Sequence, residues 1–94
     1  MHTGPAKVIL TPESFDSVQP GDVLVTRTTN PSWAPIFGTI GALVADSGGV
    51  LSHGAIVARE LSLPAVMGTK IGTRLIKTGD VVTVDGNTGV VTII

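Results

Sequence analysis

Cysteine is absent from this chain, which excludes disulfides, thiol nucleophiles and thiolate metal ligands. The two histidines that remain are too few to build a structural zinc site. Charge is scarce too. Only 14% of the residues are charged, against about 25% in an average globular protein. The six basic and seven acidic residues give a formal net charge of −1 and are scattered. Neither a basic stripe for nucleic acid nor a Lys-rich helix for a membrane surface is present. Long hydrophobic runs are missing: the longest are the four-residue segments 42–45 and 55–58, far below the roughly 20 residues that span a bilayer. The N-terminus lacks the apolar stretch of a secretory signal. A cytoplasmic setting is therefore expected.

Aromatics amount to 3% and tyrosine is absent, while hydrophobic residues reach 43%. The core must then be built from Val, Ile, Leu and Ala. The length of 94 residues predicts one domain spanning 1–94, with Met1–Pro5 as a loose terminus holding His2. Residues 7–10 read as a short strand. Thr11 as a cap and Pro12 at the first helical position open a turn that ends before Pro20-Gly21. Residues 22–26 form a strand, 28–31 a loop, and 32–37 a short helix stopped by Gly38. The nearly continuous apolar run 40–46 predicts a strand covered on both faces. A helix follows over 53–61 and ends before Pro64. Residues 65–67 return as a strand, which gives a βαβ pattern. A helical turn falls within 68–77, and strands 80–85 and 90–94 make a hairpin around Gly86-Asn87-Thr88-Gly89.

The run Gly48-Gly49-Val50-Leu51-Ser52-His53-Gly54-Ala55-Ile56-Val57-Ala58-Arg59-Glu60 sets a histidine behind a double glycine, at the head of a helix-patterned segment. The first amides of a helix have no intrahelical partner, and that end carries about half a positive charge. A phosphoryl group is stabilised there. Ser52 suits the N-cap, its hydroxyl accepting from the N–H of Gly54 or Ala55 or touching a phosphate instead. Gly54 leaves space beside the imidazole, and histidine near neutral pH offers an uncharged nitrogen as nucleophile. From residue types alone, the plainer reading of His53 as a satisfied polar residue at a helix start stays ahead. A Ser52–His53 nucleophile pair is a third reading, opposed by the poor facing of adjacent residues and the lack of a Gly-x-Ser-x-Gly elbow.

The run, with Leu63-Pro64-Ala65-Val66-Met67-Gly68 after it, resembles the phosphohistidine signature of the phosphoenolpyruvate-utilising enzymes. That family includes pyruvate phosphate dikinase, phosphoenolpyruvate synthase, enzyme I of the sugar phosphotransferase system and rifampicin phosphotransferase. The similarity extends upstream through Pro20-Gly21-Asp22-Val23-Leu24-Val25 and the loop 28–37, and downstream to Gly79-Asp80 and Asp85-Gly86. It implies an α/β fold: the swivelling β/β/α phosphohistidine domain, a β-rich sheet or partial barrel with one main helix after the histidine loop. It also implies that His53 is the catalytic residue. Ser52, Gly54 and Ala55 would cradle the phosphate, and Thr28 and Thr29 lie in a loop that the family brings near the histidine. The chain departs from many members at Leu51, where they carry Thr or Asn, and at Gly54, where Ala, Ser or Thr is common. Leu51 removes the hydroxyl that plant-type dikinases use as a regulatory phosphorylation site. The Leu–Ser–His–Gly order is closer to the rifampicin phosphotransferase and synthase-like branch.

Arg59 fits the motif, but at about 100° per residue it lies about 120° around the helix from His53. Docking or support is expected of it, as of Gly48 and Gly49. Glu60 is nearly in line with His53 but two turns away, about 10 Å, which suits a solvated role. Trp33 and Phe37 read as core or a docking patch. Asp46, Asp80 and Asp85 read as strand-end and turn residues, not metal ligands.

No nucleotide-binding Gly-rich loop and no paired carboxylates for magnesium are recognisable, so no cofactor is expected in this domain. The resemblance places ATP or phosphoenolpyruvate, with magnesium, on partner domains: an ATP-grasp nucleotide-binding domain and a phosphoenolpyruvate- or pyruvate-binding domain, in this or another chain. The expected function is a phosphotransferase component that turns over nothing alone. The competing expectation is a non-catalytic interaction or regulatory module that keeps the same fold.

Overall fold

The computed structural model describes residues 1–10, 12–29, 33–48 and 52–94. Strands β1 (His2–Val8), β2 (Val23–Thr26), β3 (Ala42–Ala45), β4 (Ala65–Val66), β5 (Val81–Asp85) and β6 (Val90–Ile93) form one sheet, ordered β4-β3-β2-β1-β5-β6. Parallel ladders join β1 to β2, β2 to β3 and β3 to β4, while β1–β5 and β5–β6 are antiparallel. The helices are α1 (Ala34–Phe37), α2 (His53–Glu60) and α3 (Gly72–Leu75), with a 3-10 turn over Pro12–Ser17. Among the described residues, no helix is long and apolar enough to cross a membrane.

Every residue of β2 and β3 is buried, because alternate side chains feed two separate cores. Val23, Val25, Ala42 and Val44 point inward with Ala6, Val66, Ile76, Val82 and Val84. Leu24 and Leu43 point the other way, into a layer with Ile9, Trp33, Ile36, Phe37 and Ile40. Strands covered on both faces read as unbroken apolar runs, and burying each such leucine contributes about 1.5–3 kcal/mol. β5 has only one covered face, so its burial alternates along the strand. The sheet curls until the β5–β6 hairpin meets the opposite edge: a Cβ on Gly86 would come within 3.1 Å of the Ala65 amide. The result is a nearly closed six-stranded barrel with one substantial helix, α2, directly after the histidine loop.

The expected strands, the hairpin and the short helices are present with ends shifted by a residue or two, except that β1 begins five residues before the expected strand 7–10. Thr11, the expected cap, lies outside the described residues. One expectation is corrected. Residues 2–5 are not a loose terminus, since they pair with Val81–Val84 in the β1–β5 ladder. Pairing with β2 begins only at Ala6. The Ala6 amide donates toward β5, to Asp80 O, so the missing N–H of Pro5 falls on the unpaired side. His2 closes this end of the barrel, its Nε2 lying 2.8 Å from Gly21 O.

Candidate functional site

The loops leaving β2, β3 and β4 lie side by side at the carboxyl ends of the parallel strands, where open α/β sheets place ligands. Their backbones are zipped together. Asp46 N donates to Thr26 O at 3.0 Å, Ser47 N to Arg27 O at 2.9 Å, Thr69 N to Ala45 O at 3.1 Å and Lys70 N to Asp46 O at 2.9 Å. Gly48 then turns the β3 loop toward α2 with φ +120, a backbone state that L side chains rarely adopt. A Cβ there would also stand 3.0 Å from both Met67 Cε and Ser52 Oγ. Gly48 is thus a conformational requirement of the loop.

Ser52 occupies the N-cap position in extended conformation (φ −70, ψ 158), but its side chain makes no capping hydrogen bond. That part of the sequence reading is corrected: the hydroxyl sits against Gly48 instead of on the amides of Gly54 or Ala55. The first-turn N–H groups of α2 are left to other acceptors.

His53 begins α2 and is half-buried. Its Nδ1 lies 3.4 Å from Thr29 Oγ1, a long hydrogen bond. Its ring stands 5.8 Å from that of Phe37 at 42°. Phe37 is itself only 2% exposed. The imidazole is therefore held on one nitrogen and one face. Among the described residues, nothing hydrogen-bonds Nε2. In the tautomer that gives Nε2 its lone pair, Nδ1–H donates to the Thr29 hydroxyl.

Gly54 is a space requirement of the site. It is buried, and a Cβ on it would lie 2.7 Å from Thr29 Oγ1 and 3.2 Å from Met67 Cε. The missing side chain admits Thr29, not a reactant, to the flank of the imidazole. Of the two threonines, only Thr29 meets the ring; Thr28 is exposed, and its carbonyl accepts from Thr26 Oγ1 at 3.5 Å. Ala55 is half-buried in the first turn of α2. Gly49 and Leu51 lie outside the described residues.

Arg59 is exposed at the far end of α2. It lines a groove of about 660 Å³ with Ala55, Ala58, Pro64, Met67 and Gly86, from which His53 is absent. Among the described residues, no ion pair braces it. The three aspartates are strand-end and turn residues, as expected. Asp46 accepts from Thr73 N at 3.0 Å and from the Thr69 and Thr73 hydroxyls, which ties the β3 loop to α3. Asp80 Oδ2 accepts from Lys77 N at 3.0 Å, and Asp85 Oδ1 from Asn87 N at 3.0 Å. The contact that sequence reasoning missed is Phe37 on His53. No local pattern signals it, because the two residues sit on different helices joined only through the outer core.

Comparison with known proteins gives the family and the fold. A family model described as "PEP-utilising enzyme, mobile domain" matches residues 18–89. A probable phosphoenolpyruvate synthase of Pyrococcus abyssi is 51% identical over 88 residues, covering 94% of this chain and 11% of the relative. The rifampicin phosphotransferase of Bacillus subtilis is 47% identical over 90 residues, covering 96% and 10%. The solution structure of an Enzyme I protein superposes with a TM-score of 0.72 at 34% identity, covering 84% of this chain and 33% of that one. The chain spans only about a tenth of the length of these two curated relatives.

Proposed function

The chain belongs to the family of phosphoenolpyruvate-utilising enzyme mobile domains, and on that footing we propose that it is a phosphoryl carrier whose acceptor atom is Nε2 of His53. The observation that carries this reading is the one-sided engagement of the ring: Thr29 on Nδ1 at 3.4 Å, and no partner on Nε2 among the described residues. In the loading step the Nε2 lone pair attacks phosphorus. The P–O bond to the donor, ATP or phosphoenolpyruvate, breaks and its electron pair leaves with the donor oxygen. Nδ1 keeps its proton, directed at Thr29 Oγ1, and that contact favours the positive charge that the ring acquires. The first amides of α2 and the positive end of its dipole stabilise the phosphoryl oxygens. In the unloading step an acceptor oxygen attacks the same phosphorus, and the N–P electron pair returns to the ring.

Donor and acceptor belong to other domains in this reading, one binding nucleotide and one binding phosphoenolpyruvate or pyruvate. Two observations support it. Similar curated proteins are far longer than this chain, and among the described residues His53 lines neither of two surface concavities, of about 660 and 230 Å³. In this reading the reactant is delivered by a partner, after a rigid-body swing of the carrier.

The test is phosphoryl uptake by the 94-residue chain from labelled phosphoramidate, a donor that needs no partner protein, with ammonia as leaving group. We expect acid-labile, base-stable phosphate on His53 and none on His53→Ala. Equal labelling of the two would end the carrier reading and favour a non-catalytic module of the same fold.

A further inference from the structure

Two cations flank the histidine loop. Ser47 N donates to Arg27 O and Lys70 N to Asp46 O, each at 2.9 Å, so Arg27 and Lys70 stand one strand to either side of the Asp46-Ser47 backbone. Strand spacing puts their Cα atoms roughly 10 Å apart. Both residues are exposed. The carboxylate between them, Asp46, is turned to Thr69 and Thr73.

Lys70 carries a second signal. Its φ is +67, a left-handed state that a lysine avoids and a glycine adopts freely. Among the described residues, its ammonium has no hydrogen bond or ion pair. The backbone state disfavours a lysine at this exposed position, and residues held in such states cluster at functional sites.

We propose that Arg27 and Lys70 form a cationic rim that receives the phosphate groups of the donor presented to His53, which rests on the carrier reading for its purpose. A guanidinium and an ammonium on exposed loops suit a phosphate dianion or a phosphoanhydride. Thr29, which meets His53 Nδ1, lies two residues beyond Arg27, so the loop that carries the guanidinium also reaches the ring. Binding through exposed cations is weak and salt-sensitive, as a carrier that must dock and leave requires.

The experiment is an amide NMR titration of the full 94-residue chain with inorganic pyrophosphate, so it does not depend on transfer to His53. We expect saturable shifts centred on residues 27, 47 and 70, in the wild type and in His53→Ala alike. In Arg27→Gln/Lys70→Gly the apparent affinity should fall at least about fivefold at low salt. At about 0.5 M salt, where screening acts within a few ångströms, the two proteins should converge. Lys70→Gly alone should keep or raise the thermal midpoint, because glycine suits φ +67. Absent or unsaturable shifts, shifts unchanged in the double variant, or a midpoint lowered by Lys70→Gly would each overturn the rim. Failure of phosphoramidate to label His53 would sink the carrier reading and leave the pyrophosphate result standing.

Discussion

The two histidines of this chain cap opposite ends of one barrel, and the contrast between them separates a structural imidazole from a reactive one. Both are half-buried. His2 spends Nε2 on a backbone carbonyl at 2.8 Å and lies so close over Gly41 that a Cβ there would collide with its ring. His53 spends Nδ1 on a side-chain hydroxyl at 3.4 Å, rests on Phe37 and heads a helix. A carbonyl fixed in the backbone locks a ring for good. A threonine hydroxyl can both give and take a hydrogen bond, so it can follow a ring whose charge changes as it reacts.

The largest expected effect is to exchange the fates of the two residues. His53→Ala should abolish phosphoryl uptake while moving the thermal midpoint little. His2→Ala should leave uptake within about twofold. It strands a carbonyl and removes a packed ring, a loss of about 1–3 kcal/mol, and the midpoint should fall by several degrees. Thermal melts and a labelling gel on the two variants decide it. If His2→Ala lost uptake, or His53→Ala kept it, the division between the ends would collapse.

Glycines at the two ends sharpen the same contrast. Gly48 and Gly89 both have positive φ, +120 and +74, but only Gly48 is crowded. Gly48→Ala should lose about 2 kcal/mol, the scale of a residue forced into a sparsely allowed backbone state, and uptake should slow because the loop carries Ser52 and His53. Gly89→Ala should lose about 1 kcal/mol with uptake untouched. Equal uptake in both would mean that the histidine loop tolerates distortion.

Thr29 is a finer probe. Thr29→Val keeps the shape and removes the hydroxyl, so it should slow loading roughly tenfold, equivalent to about 1.4 kcal/mol, near the worth of one hydrogen bond. It should also let some phosphate form on Nδ1, which ¹⁵N NMR of the labelled ring distinguishes. Thr29→Ser should restore the wild-type rate and position. A valine variant that loads normally on Nε2 would leave Phe37 and the helix dipole to orient the ring.

How much of this was legible in the chain follows from which interactions are local. β2, β3 and β5 were visible because Val- and Leu-rich runs have few other uses, and the hairpin because Gly86-Asn87-Thr88-Gly89 admits little else. The position of His53 at a helix start was readable from Gly48 and Ser52, whereas the part of Thr29 came only through family resemblance. Phe37 on His53 could not be read, since it depends on how α1 and α2 pack over Leu24 and Leu43. Gly54 was legible as a space requirement, but the approach of Thr29 into that space was not, because it comes from a different strand's loop. His2 was missed because the few residues at a terminus show no periodicity, and its partner Gly21 contributes a carbonyl that every residue type has. Lys70 was passed over because a backbone dihedral leaves no trace in composition.

The smallest expected effect lies at the end of the barrel away from His53, in the β5–β6 hairpin. Asp85 there has its carboxyl held below the ordinary range, chiefly by the hydrogen bond from the Asn87 backbone, with partial desolvation opposing and Thr88 assisting. A carboxyl whose pKa is lower folded than unfolded adds stability above its unfolded value. That contribution fades as pH falls through the lowered folded value. The residue is only half-buried, at the end of β5 beside the turn, so solvent and salt keep the contribution slight. An NMR titration should find Asp85 titrating below the ordinary carboxylate range. Asp85→Asn should flatten the acid limb of the stability curve by a small margin and leave uptake on His53 unchanged. If Asp85 titrated within the ordinary carboxylate range, the turn would not be ordered by its carboxylate. If the substitution altered uptake, the two ends of the barrel would be coupled, and the division drawn between His2 and His53 would have to be redrawn.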